Sequence, residues 1–314
     1  MKLNKIAAAV ATLALVGAGT AQANSFASAE LIVTGIKWLD ASDNIIVNGG
    51  VGAIAAGTNK ADLGITLTDS AGKTMSNTPL LLSSPFGQIP FTSRSIGPDQ
   101  VADNAATPNP GPTGNVLPHG LTYSYASYEL SGAIVDTGLA PPTGANAYSM
   151  AQVDLSGKVT NPSSGTSSSN VGSNASFTAF VTTPVSTITT HFVLDYVVHL
   201  LANVTAPNGT QDSAKASVSW KLNIKDAANH LNFLPLELNQ DVSVNGFGID
   251  QVNISGSLRS DDFNLDSGDP YTFTITSNVQ AEGLRDVPEP DSLALFGIGF
   301  AGFVASALRR RKQA

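Results

Sequence analysis

The sequence predicts an all-β fold, a β-sandwich or jelly-roll-like domain over residues 24–286, flanked by an apolar segment at each end of the chain. Three observations carry this. Apolar and polar residues alternate at period two through most of the chain, with turn residues between the runs. Charged residues make up only 13 %, about half the share of an ordinary globular protein, while Gly, Ser, Thr and Asn are abundant. No amphipathic helix is legible before residue 287.

The clearest strand is 216–224, where Ala216, Val218, Trp220, Leu222 and Ile224 alternate with Ser217, Ser219, Lys221 and Asn223. From Tyr271 onward, Phe273, Ile275 and Val279 alternate with Thr272, Thr274, Thr276 and Asn278 in the same way. Residues 191–205 form a long strand, apolar on one face through Phe192, Leu194, Tyr196, Val198, Leu200 and Val204. Its expected partner is the 216–224 strand, with Pro207-Asn208-Gly209 as the turn. Further strands are expected at 31–38, 64–68, 122–130, 148–155, 176–182 and 251–258. Many short strands with frequent turns read as a sandwich, each sheet burying an apolar row and showing Ser, Thr and Asn to water.

One stretch repeats. Tyr-Ser-Tyr-Ala-Ser-Tyr-Glu-Leu-Ser-Gly from Tyr123 is matched by Tyr-Ser-Met-Ala-Gln-Val-Asp-Leu-Ser-Gly from Tyr148, so Glu129 and Asp154 keep the charge. Two copies do not make a solenoid, and equivalent strands in two sheets are expected. Residues 103–118, with Pro108, Pro110, Pro112 and Pro118, and residues 161–174, nearly all Ser, Asn, Gly and Thr, read as loops or linkers. The first is a place where a small N-terminal β-unit would divide from the rest, although one continuous domain is the preferred reading.

Cysteine is absent, which excludes a disulfide framework, a thiolate nucleophile and a Cys-ligated metal. Six of the 16 basic and two of the 24 acidic residues lie in the end segments, leaving residues 24–286 with a net charge of −12. Such a domain does not bind nucleic acid or anionic lipid by charge.

Residues 1–23 read as a secretory signal peptide. Lys2 and Lys5 give a positive start, 6–18 is apolar, and Ala21-Gln22-Ala23 is a small-x-small cleavage site. Entry through the Sec translocon is expected. At the other end, Val287-Pro288-Glu289-Pro290 precedes an uncharged apolar stretch, 292–308, and then the cations Arg309, Arg310, Arg311 and Lys312. As a helix the apolar stretch is about 25 Å long, just enough for a thin hydrocarbon core. Clustered cations resist translocation and keep the extreme end cytoplasmic, so the preceding domain lies outside. The prolines fix φ, lack N–H donors and hold their predecessors extended, which leaves the segment accessible between domain and helix.

Val287-Pro288-Glu289-Pro290, the Gly-containing apolar helix and the terminal Arg cluster, in that order, resemble the PEP-CTERM sorting tail; Ser292-Leu293-Ala294-Leu295 matches its usual continuation. The resemblance covers residues 287–314. It implies a Gram-negative host, transient anchoring in the inner membrane, an exosortase that processes the tail, and association with the cell surface or exopolysaccharide matrix.

Asp262, Asn264 and Asp266 have the alternating spacing by which oxygens converge on Ca²⁺. Against this, the glycine falls one place late for an EF-hand loop and the closing glutamate is missing. The alternative packs Phe263 and Leu265 inward and leaves the acids as a solvated turn. Asp136-Thr137-Gly138 and Asp266-Ser267-Gly268 spell the loops of aspartic proteases, but the stretch between them is short for two lobes. His191 and His199 share a strand face with Asp195 at steps of about 13 Å, too far for a triad, so structural histidines are expected, with His119 and His230 in loops. Taken together, the residues point to a non-enzymatic surface or matrix protein whose partners are exopolysaccharide, cations or other surface proteins. The alternative is a carbohydrate-active enzyme or a calcium-dependent carbohydrate-binding module, for which the aromatic platforms available are Trp38 and Trp220.

Overall fold

The structure, a computed structural model, describes residues 24–46, 54–69, 73–76, 80–84, 89–97, 122–131, 144–155, 162–178, 187–205, 212–226, 236–266 and 269–285. The signal segment, the sorting tail and residues 103–118 lie outside them.

The described chain is all β. Its strands are β1 (Asn24–Asp40), β2 (Ile54–Asp69), β3 (Thr74–Ser76), β4 (Leu80–Ser84), β5 (Ile89–Ile96), β6 (Thr122–Ser131), β7 (Ala145–Leu155), β8 (Pro162–Thr178), β9 (Thr187–Thr205), β10 (Ser213–Asp226), β11 (Leu236–Asn245), β12 (Gly248–Arg259), β13 (Phe263–Asp266) and β14 (Pro270–Leu284). They form two seven-stranded antiparallel sheets. The first runs β12-β9-β1-β7-β6-β5, with β13 extending the edge beside β9; the second runs β11-β10-β14-β8-β2-β3, with β4 beside β2. In the first sheet the early strand β1 lies between β9 and β7, while in the second the early strands β2, β3 and β4 form one edge beyond β8.

The sheets pack face to face over one apolar layer. The first contributes Ala27, Leu31 and Val33 of β1 and Phe192, Leu194, Val198 and Leu200 of β9; the second contributes Val218, Trp220 and Leu222 of β10 and Val279 of β14. Trp38 stacks on Phe192 at 5.4 Å, and Phe192 on Phe263 at 5.9 Å, so the inward rows of β1, β9 and β13 interlock. Each of these rows follows the period of two that the sequence shows.

Three expectations are corrected. First, β9 and β10 are not a hairpin. β9 pairs with β1, β12 and β13, and β10 pairs with β11 and β14. Both strands carry long apolar rows, and these bury more area facing each other across the core than lying edge to edge. Second, the repeated segments are β6 and β7, hydrogen-bonded neighbours in one sheet, not equivalents in two. Their antiparallel register sets Tyr123 opposite Asp154 and Tyr148 opposite Glu129, so the two copies are related by a local two-fold.

Third, residues 161–174 are not a linker. Most of them form β8, between β14 and β2 in the middle of the second sheet. The small residues are what the site needs. A Cβ on Gly165 would lie 2.8 Å from Val153 Cγ1 and 2.9 Å from Leu67 Cδ2. Ser167 and Ser169 point inward, buried, and donate to the carbonyls of Tyr125 and Ser127 in the facing sheet, Ser169 at 2.9 Å. Ser124 returns the contact, donating to the Thr166 carbonyl at 2.6 Å. Small side chains let the sheets approach until hydroxyls reach backbone across the core. The strand expected at 176–182 is the end of this longer one, which stops at Thr178 in the described chain.

Gly165→Val is expected to cost about 1–3 kcal/mol by overpacking this approach, and Ser169→Ala about 1 kcal/mol through the lost hydrogen bond. Urea unfolding of the mature protein measures both. A Gly165→Val variant as stable as the parent would contradict the close approach.

Candidate functional site

The repeated strands build an unusual surface. On the outer face of the first sheet, the away-facing residues are Tyr123, Tyr125 and Ser127 of β6, Tyr148, Met150, Gln152 and Asp154 of β7, and Phe26, Ser28, Glu30 and Ile32 of β1. Period two and a half-solvated sheet lead to the expectation that this face is washed by water. Instead all of these residues are buried, none more than 8 % exposed. The signal was in the sequence: tyrosines occupy both parities of β6, with Tyr128 facing the core beside Leu63 and Ile65, which is the pattern of a strand buried on both sides.

The buried face is a polar layer. The Tyr148 hydroxyl donates to Met150 Sδ at 3.2 Å, and Tyr148 pulls the Glu30 pKa down from beside it. Burial pushes the Glu30 pKa up, against the pull of its cross-strand neighbour His199 and of Tyr148. Burial also raises the phenols: Tyr148 further by Glu30 and Tyr125, and Tyr123 by Asp154 and Tyr125. The tyrosines stay neutral, and Tyr123 Oη and Glu30 Oε1 are buried without a hydrogen-bond partner among the described residues. At the rim, His199 Nδ1 and Asn253 Oδ1 are 2.9 Å apart. By register Glu30 stands opposite Met150, four positions from Asp154, so the two buried carboxyls are about 13 Å apart along the sheet. That is wider than the separation a glycosidase pair uses.

The acids singled out from sequence lie at the other end of the strands. Phe263 and Leu265 are buried, while Asn264 and Asp266 point outward and accept hydrogen bonds from Thr189 and Thr187, each at 2.8 Å. Asp262 accepts from Arg259 at 2.7 Å and lies 3.6 Å from His191 Nδ1. The three side chains are strung along an extended chain at about 6.6 Å per pair of residues and each is engaged with a different neighbour. Among the described residues no group of three or more His, Asp or Glu is arranged to hold a metal ion. His191 is buried, with Asp43 Oδ1 3.0 Å from Nε2, so it ties the β1 turn to the β12–β13 junction. In that turn the Asn44 N–H, with the Asn44 amide and the Ser42 N–H, holds the Asp40 carboxyl below the ordinary range. Trp38 and Trp220 are both core residues. A shallow groove of about 260 Å³ on the first sheet is lined by Lys37, Asp195, Ser257 and Arg259 and contains one carboxylate.

The ends of the described chain converge. β1 begins at Asn24, the residue after the expected cleavage site, opposite Thr205. Ser25 donates to the Ser213 carbonyl at 2.6 Å, and Ser213 stands opposite Leu284. Arg285 is 3 % exposed and donates to the Leu155 carbonyl at 2.9 Å, with the buried Asp212 carboxylate as its opposing charge. Asn24 and Arg285, the first and last described residues, therefore sit at one end of the sandwich. Ala21 and Ala23, Val287 to Pro290, the 292–308 stretch and Arg309 to Lys312 lie outside the described residues. Among the described residues no helix is long and apolar enough to cross a membrane.

Because folding raises the Glu30 pKa, that group favours the folded state most below the unfolded carboxyl value and loses this contribution as pH climbs through the folded value. Glu30→Gln is expected to raise the thermal unfolding midpoint at neutral pH, with the gain vanishing towards about pH 4. Circular dichroism at the two pH values checks this. An unchanged midpoint at neutral pH would contradict the burial of the charge.

No curated protein matches the chain. Residues 286–311 match the model of the PEP-CTERM protein-sorting motif, beginning at the residue after Arg285. That motif marks an exported protein sorted through an exosortase in Gram-negative bacteria. The chain is a PEP-CTERM sorting domain-containing protein.

Proposed function

We propose that the protein is a non-enzymatic component of the cell surface or extracellular matrix, exported through the Sec translocon, held briefly in the inner membrane by its tail, and delivered by exosortase processing. The observation that carries this reading is the junction: the sorting motif starts directly after Arg285, whose guanidinium is pinned to the Leu155 carbonyl. The folded sandwich is thus a rigid cargo with the processing segment at its exit. Pro288 and Pro290 keep that segment extended.

The cargo itself supports a structural or binding role. Its tryptophans serve the core, its buried carboxyls stand too far apart to act as a pair, and its groove offers a single acid. Five of its exposed acids, Asp43, Asp261, Asp262, Asp266 and Asp269, lie at the end remote from the tail. There their exposed faces meet cations, exopolysaccharide or other surface proteins.

Intact-mass analysis of the protein from its host, with and without the exosortase, tests this reading. A mass ending near Pro290 in the presence of the enzyme, and the full tail in its absence, is the expected result. A full tail in both would make the segment a permanent anchor and overturn the proposal.

A further inference from the structure

The sandwich is polar along its length. Its proximal end, where Asn24 and Arg285 lie, also holds Thr205, Ser213, Asn245 and Gly248 by register. The described surface has four exposed large hydrophobic residues, Met75, Phe247, Ile249 and Leu284, and all four are at this end. Leu284 is opposite Ser213, Ile249 lies two positions from the end of β9, and Met75 is paired with Leu67 near the end of β2. Phe247, 73 % exposed, and Ile249, 64 % exposed, crown the turn from β11 to β12. That turn is held in place: Gly246 takes φ +79°, its N–H donates to the Asp212 carbonyl at 2.8 Å, and Asp250 accepts the Ser243 N–H at 3.3 Å. The phenylalanine is presented on a fixed support.

Acids outnumber bases at both ends, by more at the distal one: the proximal end has Lys73, Lys215 and Arg285 with Asp69, Asp154, Asp212, Asp250 and Glu282, and the distal end has Asp40, Asp43, Asp226, Glu237, Asp261, Asp262, Asp266 and Asp269 with Lys37, Lys221, Lys225 and Arg259. Asp266 is paired with Thr187, at the far end of β9 from Thr205, about 60 Å away at 3.3 Å per residue. That distance is many Debye lengths at physiological salt. Anionic headgroups at the proximal end would not feel the distal acids.

We infer that the proximal end is a membrane-docking surface, with Phe247, Ile249 and Leu284 seated in the lipid headgroup region while the tail is anchored. This rests on reading 292–308 as the membrane helix. Six residues, 286–291, separate Arg285 from that segment, and fully extended they reach about 20 Å. The end of the sandwich cannot lie further than that from the hydrocarbon boundary, so it stays within reach of the headgroup layer, itself about 5–7 Å deep. Apolar side chains exposed there bury their surface in the interface at no cost in ordering the chain, because the tail already holds the domain in place. Exposed apolar residues gathered at one site mark such a contact, whereas scattered ones do not.

The test uses the full chain, which has no native cysteine, reconstituted in vesicles of phosphatidylethanolamine and phosphatidylglycerol. Single labels at Phe247→Cys, Ile249→Cys and Asp269→Cys report contact with nitroxide-bearing lipids by fluorescence quenching. Ala301→Cys, challenged with a water-soluble maleimide, reports tail insertion independently. Quenching at 247 and 249 but not at 269 is expected, and Phe247→Asp should abolish it at 249 while leaving far-ultraviolet circular dichroism unchanged. A protected Ala301→Cys with labels at 247 and 249 quenched no more than at 269 overturns docking and leaves the tail reading intact. A reactive Ala301→Cys overturns both.

Discussion

The apolar layer between the two sheets is the constraint on which the rest of the molecule depends. The rows of β1 and β9 on one side and of β10 and β14 on the other are long and continuous, and they are buried by facing each other. That demand sends the chain from β9 across to the second sheet instead of back along a hairpin. It also fixes the direction of every strand, and so decides that Asn24, Thr205, Ser213 and Leu284 share one end. The ends of the domain meet because the core must close.

Around β8 the same sandwich is held differently. Gly165, Ser167 and Ser169 replace large side chains with small ones, and hydrogen bonds to the facing backbone take over from apolar area. Opposite them, β6 and β7 carry the tyrosine-rich repeat, which is buried on its outer face as well. Neutral phenols and a carboxyl of raised pKa are buried there together. The middle of the first sheet is thus a rigid polar layer, and its chemistry serves cohesion more than catalysis.

Much of this was legible in the sequence. Alternation located the strands at 31–38, 216–224, 191–205 and 251–258, because inward residues there are large and apolar and outward ones polar. It missed β8, whose inward residues are Gly and Ser: period two is present, but composition looks like a linker when both faces are polar. Pairing was also out of reach. A turn sequence such as Pro207-Asn208-Gly209 says that the chain reverses, not whether it reverses within a sheet or between sheets. The sorting motif was legible for the opposite reason, since its chemistry is local and contiguous from Val287 to Lys312. The clustering of Phe247, Ile249 and Leu284 was not, because only the strand register brings them to one end.

The account turns on the convergence of the two chain ends and the separation of the acidic end from them. Pulsed electron resonance between pairs of spin labels measures both directly in a chain without native cysteine. Labels at Thr205→Cys and Leu284→Cys should lie about 20 Å apart, across the sheet-to-sheet spacing and a strand or two. Labels at Thr205→Cys and Asp266→Cys should lie about 60 Å apart, the length of β9. A long first distance, or two distances that are alike, would contradict the sandwich described and the placement of its membrane-facing end.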